Sequence, residues 1–127
     1  MQEQHLFEYA VIRVVPRVER EEFINVGVVL YCASQIFLHT IYNLDVAKLQ
    51  ALYCNLDIDE LHTYFDVFER ICRGDKSAGP IAGLPAAERF RWLTAPRSTV
   101  LQTSKTHPGF CKEASEMLQR LYIQLVL

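Results

Sequence analysis

A short, densely charged connection between two apolar segments holds the richest polar chemistry of this 127-residue sequence. It carries two arginines, Arg17 and Arg20, and two adjacent carboxylates, Glu21 and Glu22. Two neighbouring carboxyl groups can separate in pKa and divide the roles of general acid and general base. Adjacent charges flanked by arginines are more often a solvated turn with weak local ion pairs, and the residues alone favour that second interpretation.

Arg13 and Asn25 lie in the apolar segments on either side of this connection. If these segments form an antiparallel hairpin centred near residues 19 and 20, Arg13 lies opposite Asn25 or Gly27, on the same face, because side chains alternate with a period of two. The planar guanidinium of an arginine matches a carboxylate or a phosphate. A solvated or internally paired arginine is the commoner case, so Arg13 is a candidate and not an assignment.

A second group of candidates follows Pro96. Arg97, Ser98 and Thr99 combine a guanidinium, two hydroxyls and backbone N–H groups in the manner of an anion cradle. These residues would converge with Arg13 if the strand they belong to lies beside the hairpin. The complete set of candidate ligand-binding residues is Arg13, Arg17, Glu21, Glu22, Asn25, Arg89, Arg91, Arg97, Ser98, Thr99 and Gln102.

Known catalytic and metal-binding motifs are absent from the sequence. It contains no H-E-x-x-H, no P-loop, no G-x-G-x-x-G and no C-x-x-C pair, so neither a metal site nor a cofactor is expected. The four cysteines, scattered through the chain, fit a reduced cytosolic protein. A catalytic serine or cysteine would have to be assembled by the fold, because triads do not follow sequence order.

Charge is distributed unevenly along the chain. Residues 1–72 carry five Lys/Arg against eleven Asp/Glu, whereas residues 73–127 carry eight against four. Attraction between the two parts of the fold explains this asymmetry most simply, and a basic surface for an anionic ligand is the alternative. A surface for single-stranded nucleic acid has weaker support, because the basic groove that should accompany the aromatic residues is only partial.

Composition and length predict one globular domain spanning residues 1–127. No apolar run approaches the roughly 20 residues of a membrane-spanning helix, and the N-terminus lacks the pattern of a signal peptide. We therefore expect a cytoplasmic protein that does not associate with membranes.

Hydrophobic patterning predicts strands first and helices afterwards. Strands are predicted over residues 6–15, 23–32 and 36–42, with a fourth within 97–103. Helices are predicted after Asp45, after Asp57 up to Gly74, after Pro85 and at the C-terminus. The even positions of the second strand are all apolar and should form its core face, and Gly27 indicates a bulge or a close approach. This order predicts an α+β fold, an antiparallel sheet of three to four strands with three to four helices packed mainly on one face.

The amino-acid sequences of several segments resemble those of a bacterial family known as domain of unknown function 3037. The segments that carry the resemblance are residues 9–17, 19–28, 79–81, 88–93 and 95–99. The family brings no established catalytic residues. Its members are small cytoplasmic bacterial proteins whose genes often neighbour that of a HipA-like kinase, which implies an accessory role with such a kinase as partner.

Three functional hypotheses follow. The first is a non-catalytic accessory module that uses an arginine-rich face to bind an acidic partner protein or a phosphate-containing ligand. The second is a small phosphate-ester hydrolase or nuclease-like enzyme that uses Glu21 and Glu22 with the arginines. The third is a structural subunit of a complex, which would oligomerise through a large apolar patch.

Overall fold

A computed structural model describes residues 3–127 and contains five strands and four helices within them. The strands are β1 (His5–Val14), β2 (Ile24–Cys32), β3 (Phe37–Tyr42), β4 (Leu101–Thr103) and β5 (His107–Cys111). The helices are α1 (Val46–Leu52), α2 (Ile58–Arg73), α3 (Ala86–Leu93) and α4 (Ala114–Leu125). Short 3-10 turns fill several of the connections.

All strand pairs in the sheet are antiparallel, in the order β3, β2, β1, β4, and β5 also pairs with β1. β4 pairs with the C-terminal part of β1 and β5 with its N-terminal part. The predicted α+β class is therefore confirmed, and the sheet has one strand more than the sequence pattern suggested.

The hairpin register places Arg13 of β1 directly opposite Asn25 of β2, as predicted. A bulge at this point shifts the register, since the preceding β1 residue, Ile12, pairs with Gly27. Gly27 also meets the neighbouring strand closely, because a Cβ atom there would lie 2.7 Å from the Ile41 carbonyl oxygen and from the Tyr42 Cβ. Both reasons for a glycine within a strand apply here.

Helix ends follow the predicted capping residues. The side chain of Asp45 accepts a hydrogen bond from the backbone N–H of Lys48, and Asp57 does the same for Glu60. Gly74 ends α2 with a left-handed conformation, φ 72°. These caps satisfy backbone groups that a helix terminus leaves without partners.

Helices cover both faces of the sheet, with α1, α2 and α3 on one face and α4 on the other. On the first face, Ile12 and Val14 of β1 pack with Phe65 and Phe68 of α2. On the second face, α4 packs with side chains of β1, β2 and β3. The prediction of helices mainly on one face agrees with this arrangement.

The prediction that the even positions of β2 share one core face is wrong. Because of the bulge, Val26 and Val29 both point towards the first core, and Val28 and Leu30 point towards the second. β2 is therefore buried on both sides. No helix within residues 3–127 is both long and apolar enough to cross a membrane.

Candidate functional site

The fold separates the eleven candidate residues into three regions. Arg13, Asn25 and Gln102 lie in a row on three neighbouring strands; Arg17, Glu21 and Glu22 lie in the hairpin connection; Arg89, Arg91, Arg97, Ser98 and Thr99 lie in α3 and the segment after it. Arg13 alternates with residues that point to the first core, so its side chain lies on the α4 side of the sheet. Arg97 packs beside α2, on the opposite side. Arg13 and Arg97 therefore do not converge, although the strand that follows Arg97 does lie beside the hairpin.

An apolar groove lies where α2, α3 and the segment leading into β4 meet. We call it the aromatic groove; it has a volume of about 270 Å³ and is lined by Tyr64, Val67, Phe68, Ile71, Trp92, Arg97, Thr99 and Leu101. Tyr64 and Trp92 are exposed aromatic residues of this lining, with 42% and 40% of their surfaces accessible. Both rings stand on helix positions next to the buried stripe, so the core packs beneath them without covering them.

Arg97 lies against the indole ring of Trp92 in this groove. Its Cζ atom is 4.3 Å from the ring centroid, and its guanidinium donates a hydrogen bond to the Trp92 carbonyl oxygen. Burial lowers the pKa of Arg97, although an arginine stays charged in proteins. Within residues 3–127, no carboxylate lies within ion-pairing distance of this guanidinium. Arg97 therefore presents an uncompensated positive charge beside an apolar surface.

The other members of the third region have different surroundings. Arg89 fastens the C-terminal end of α2, because its Nη1 donates to the carbonyl oxygens of Ile71 and Cys72 at 2.9 and 2.7 Å. The Thr99 hydroxyl donates to the Leu101 carbonyl oxygen at 2.8 Å. Arg91 and Ser98 are exposed to solvent. The predicted cradle therefore contributes Arg97 and Thr99 to the groove, whereas Arg89 has a structural role.

The hairpin connection is an exposed turn whose charges pair locally. Arg17 pairs with Glu19 at 2.8 Å, and Arg20 pairs with Glu22. Glu21 is exposed and has a left-handed backbone, φ 57°. Hydrogen bonds from the backbone and from Arg17 lower the pKa of Glu19, the opposite of what a general acid near neutral pH requires.

A second, larger cleft adjoins this turn. It has a volume of about 470 Å³ and lies between the turn and the C-terminal end of α1, with Arg17, Arg20 and Glu22 on one side and residues 50–55 on the other. Its lining combines the charged side chains of the turn with apolar ones such as Ala51 and Leu52. Among residues 3–127, no three His, Cys, Asp or Glu side chains are grouped so that they could hold a metal ion.

The row in the sheet consists of Asn25, Arg13 and Gln102, which face one another across β2, β1 and β4. Asn25 donates from Nδ2 to the Leu125 carbonyl oxygen of α4 at 3.2 Å, and Gln102 donates from Nε2 to the Thr99 carbonyl oxygen at 2.8 Å. The guanidinium of Arg13 stacks on the ring of Phe23, with Cζ 4.0 Å from the centroid.

The sequence pattern missed two features. Tyr64 and Trp92 were not among the candidate residues, although Tyr64 lies off the buried stripe of α2, and that offset was the available signal. His5 and Ser34 are also brought together, with Nδ1 2.7 Å from Oγ. They are 29 residues apart in the chain, so no local motif could have indicated their contact.

Comparison with known proteins gives a family and no activity. A family model described as "Protein of unknown function (DUF3037)" matches residues 9–126. No curated protein and no solved structure matches the chain significantly.

Proposed function

The chain belongs to the DUF3037 family, and we propose that it is a non-catalytic accessory module that binds an acidic segment of a partner protein in the aromatic groove. The observation that carries this proposal is the uncompensated guanidinium of Arg97 stacked on the exposed ring of Trp92. The family resemblance makes a HipA-like kinase the first partner to test.

The composition of the groove is that of a binding surface. Trp, Tyr and Arg are the residue types most enriched among those that dominate the energy of protein–protein interfaces. Here one of each, Trp92, Tyr64 and Arg97, surrounds an apolar floor formed by Val67 and Ile71. A groove of about 270 Å³ has room for one or two anchoring side chains of a partner, not for a whole domain.

Charge determines the kind of segment that fits. A guanidinium has five N–H donors, and Arg97 uses one of them on the Trp92 carbonyl oxygen, so several stay available for a carboxylate. An ion pair at the edge of an apolar, partly desolvated groove is stronger than one in open water. The favoured ligand is therefore a segment with an aspartate or glutamate next to an apolar anchor.

The hydrolase and subunit hypotheses have less support from the geometry. The carboxylate of Glu22 is paired with Arg20 in an exposed turn, and Glu21 is solvated. The subunit hypothesis depends on exposed apolar side chains such as Leu6 and Phe110, which are paired on β1 and β5 and, within residues 3–127, have no arginine stacked on them as Trp92 does.

The test is direct binding of the purified kinase, measured by calorimetry with the wild type and with Trp92→Ala and Arg97→Gln. We expect each variant to weaken binding about tenfold or more, because loss of a central interface residue costs upwards of about 1.4 kcal/mol. Arg120→Gln removes an exposed arginine from α4, on the other side of the sheet, and should bind like the wild type. Unchanged affinity in both groove variants, with their melting temperatures preserved, would refute the groove as the binding surface.

A further inference from the structure

The side chain of Arg13 has a closely defined position in the sheet, although it has no hydrogen-bond or ion-pair partner within residues 3–127. It lies in the middle strand of a polar row, between Asn25 on β2 and Gln102 on β4, while its neighbours in β1, Ile12 and Val14, are fully buried. The bulge next to it sets its alignment with Asn25. Bulges of this kind re-aim side chains and are frequent next to functional sites.

Two buried polar atoms of this row lack hydrogen-bond partners within residues 3–127. They are Nε of Arg13, a donor, and Oδ1 of Asn25, an acceptor. A buried polar group left without a partner is destabilising, and more so when the group is charged. The stacking of Arg13 on Phe23 offsets only part of that cost, because a cation–π contact at a partly exposed site is weak. In the stacked conformation the row therefore keeps one donor and one acceptor without partners.

The two atoms are complementary to each other and lie on directly paired residues. If the guanidinium turns away from Phe23, Nε can donate to Oδ1 of Asn25. The terminal nitrogens of Arg13, which keep some contact with solvent, would then project from the sheet as a fork. The fork is free, since within residues 3–127 no carboxylate lies within ion-pairing distance of it.

We propose that Arg13, oriented by Asn25, forms an oxyanion site on the α4 side of the sheet, and that its ligand is a phosphate group. The parallel N–H bonds of the fork match two oxygens of one phosphate. The second hydrogen of the Gln102 amide, whose first is held by the Thr99 carbonyl oxygen, is available to a third oxygen. A dianionic phosphate gains more than a carboxylate from a half-buried positive charge, because electrostatic attraction rises with ligand charge.

Arg13 lies on the other side of the sheet from the aromatic groove, whereas Gln102 of the row is hydrogen-bonded to Thr99, which lines that groove. The test of the oxyanion site needs only the whole chain and a simple probe. Inorganic phosphate is titrated in a thermal-shift experiment, with sodium chloride at matched ionic strength as the reference and sodium acetate as a carboxylate probe. We expect a saturable rise of several degrees in melting temperature with phosphate, and little with acetate.

Variants at Arg13 and Asn25 test whether the rise in melting temperature with phosphate arises from the row. Arg13→Met removes the fork while keeping an apolar stem, and Asn25→Asp places a carboxylate opposite the fork and occupies it from within the protein. Both should lose the response to phosphate, whereas Arg120→Met, which removes an exposed arginine from α4, should keep it. If Arg13→Met does not fold, Asn25→Asp decides the question.

Three outcomes would overturn the proposal: phosphate raises the melting temperature no more than chloride does, its effect survives in both row variants, or acetate raises the melting temperature as much as phosphate does. Because Arg97→Gln should respond to phosphate like the wild type, failure at the groove and failure at the row can be told apart.

Discussion

Cysteine side chains in this protein differ sharply in their access to solvent. Cys54 is exposed, whereas Cys32, Cys72 and Cys111 are buried. Burial raises the pKa of Cys72 to about 12, with a small opposing effect from the charge of Arg89. Burial also raises the pKa of Cys111, and its neighbour Cys32 adds to the shift. The thiolate is the reactive form, so these differences translate into different reactivities.

We therefore expect one thiol of the four to react rapidly with a disulfide reagent such as Ellman's reagent at pH 8 under native conditions. Mass spectrometry should locate the label at Cys54, and the Cys54→Ser variant should lose the fast phase. The other three thiols should react only as the protein unfolds in denaturant. Rapid native labelling of Cys72 would show that its surroundings open more easily than the packing indicates.

For individual residues, the sequence predicted the pairing of Arg13 with Asn25 better than it predicted the position of Arg97. Arg13 and Asn25 could be placed opposite each other because the period of a strand and the length of the connection determine the register. Arg97 could not be placed, since nothing local shows on which side of the sheet a distant loop will pack. The exposure of Trp92, on which Arg97 stacks, could not be predicted either, because an aromatic residue on a helix is usually part of the core.

Among the elements, β4 and β5 act as one edge strand that bends along β1. Residues 104–106 interrupt the pairing, and the Ser104 side chain fills the gap by accepting a hydrogen bond from the Val11 N–H at 2.9 Å. The backbone N–H of Ser104 also donates to the Val11 carbonyl oxygen at 2.8 Å. One serine thus replaces the missing rung of the ladder.

Ser104→Ala should destabilise the fold by about 1 to 3 kcal/mol, because it leaves the Val11 N–H without a partner in the partly buried sheet. Urea denaturation measures the effect, and Ser115→Ala at an exposed position of α4 is the matched control. A change of less than about 0.3 kcal/mol would mean that water replaces the hydroxyl without penalty.

β5 was the strand that the sequence pattern did not predict. Pro108 and Gly109 have the appearance of a turn, yet both lie within the strand. An edge strand tolerates a proline because one side of its backbone faces solvent. Gly109 is required by a contact far away in sequence, since a Cβ atom there would lie 2.7 Å from the ring of Phe7. The other strands and helices were predictable because their signals, alternation and capping residues, are local.

On the scale of the whole molecule, the sheet separates two cores that share its strands. The first contains Phe65 and Leu93, and the second contains Leu118 and Leu121 of α4. Neighbouring residues of β2 point alternately into the two cores, so neither layer can loosen without disturbing the same strand. The α+β class followed from the order of strands and helices, but the position of α4 on the second face depends on this three-dimensional packing.

Because the two cores share the strands of the sheet, we expect the two layers to unfold together. Leu118→Ala, which opens a cavity beneath α4, should cost about 2 to 5 kcal/mol in the free energy of unfolding. Trp92 is the only tryptophan of the chain and lies on the other side of the sheet, so its fluorescence reports on the layer that the substitution does not touch. Urea midpoints from fluorescence and from far-UV circular dichroism should fall together in the variant, as two-state unfolding requires.

The exposed Ile123→Ala substitution in α4 should leave both midpoints nearly unchanged. A fluorescence midpoint that stays at the wild-type value while the dichroism midpoint falls would show instead that α4 and its core unfold as a separate unit.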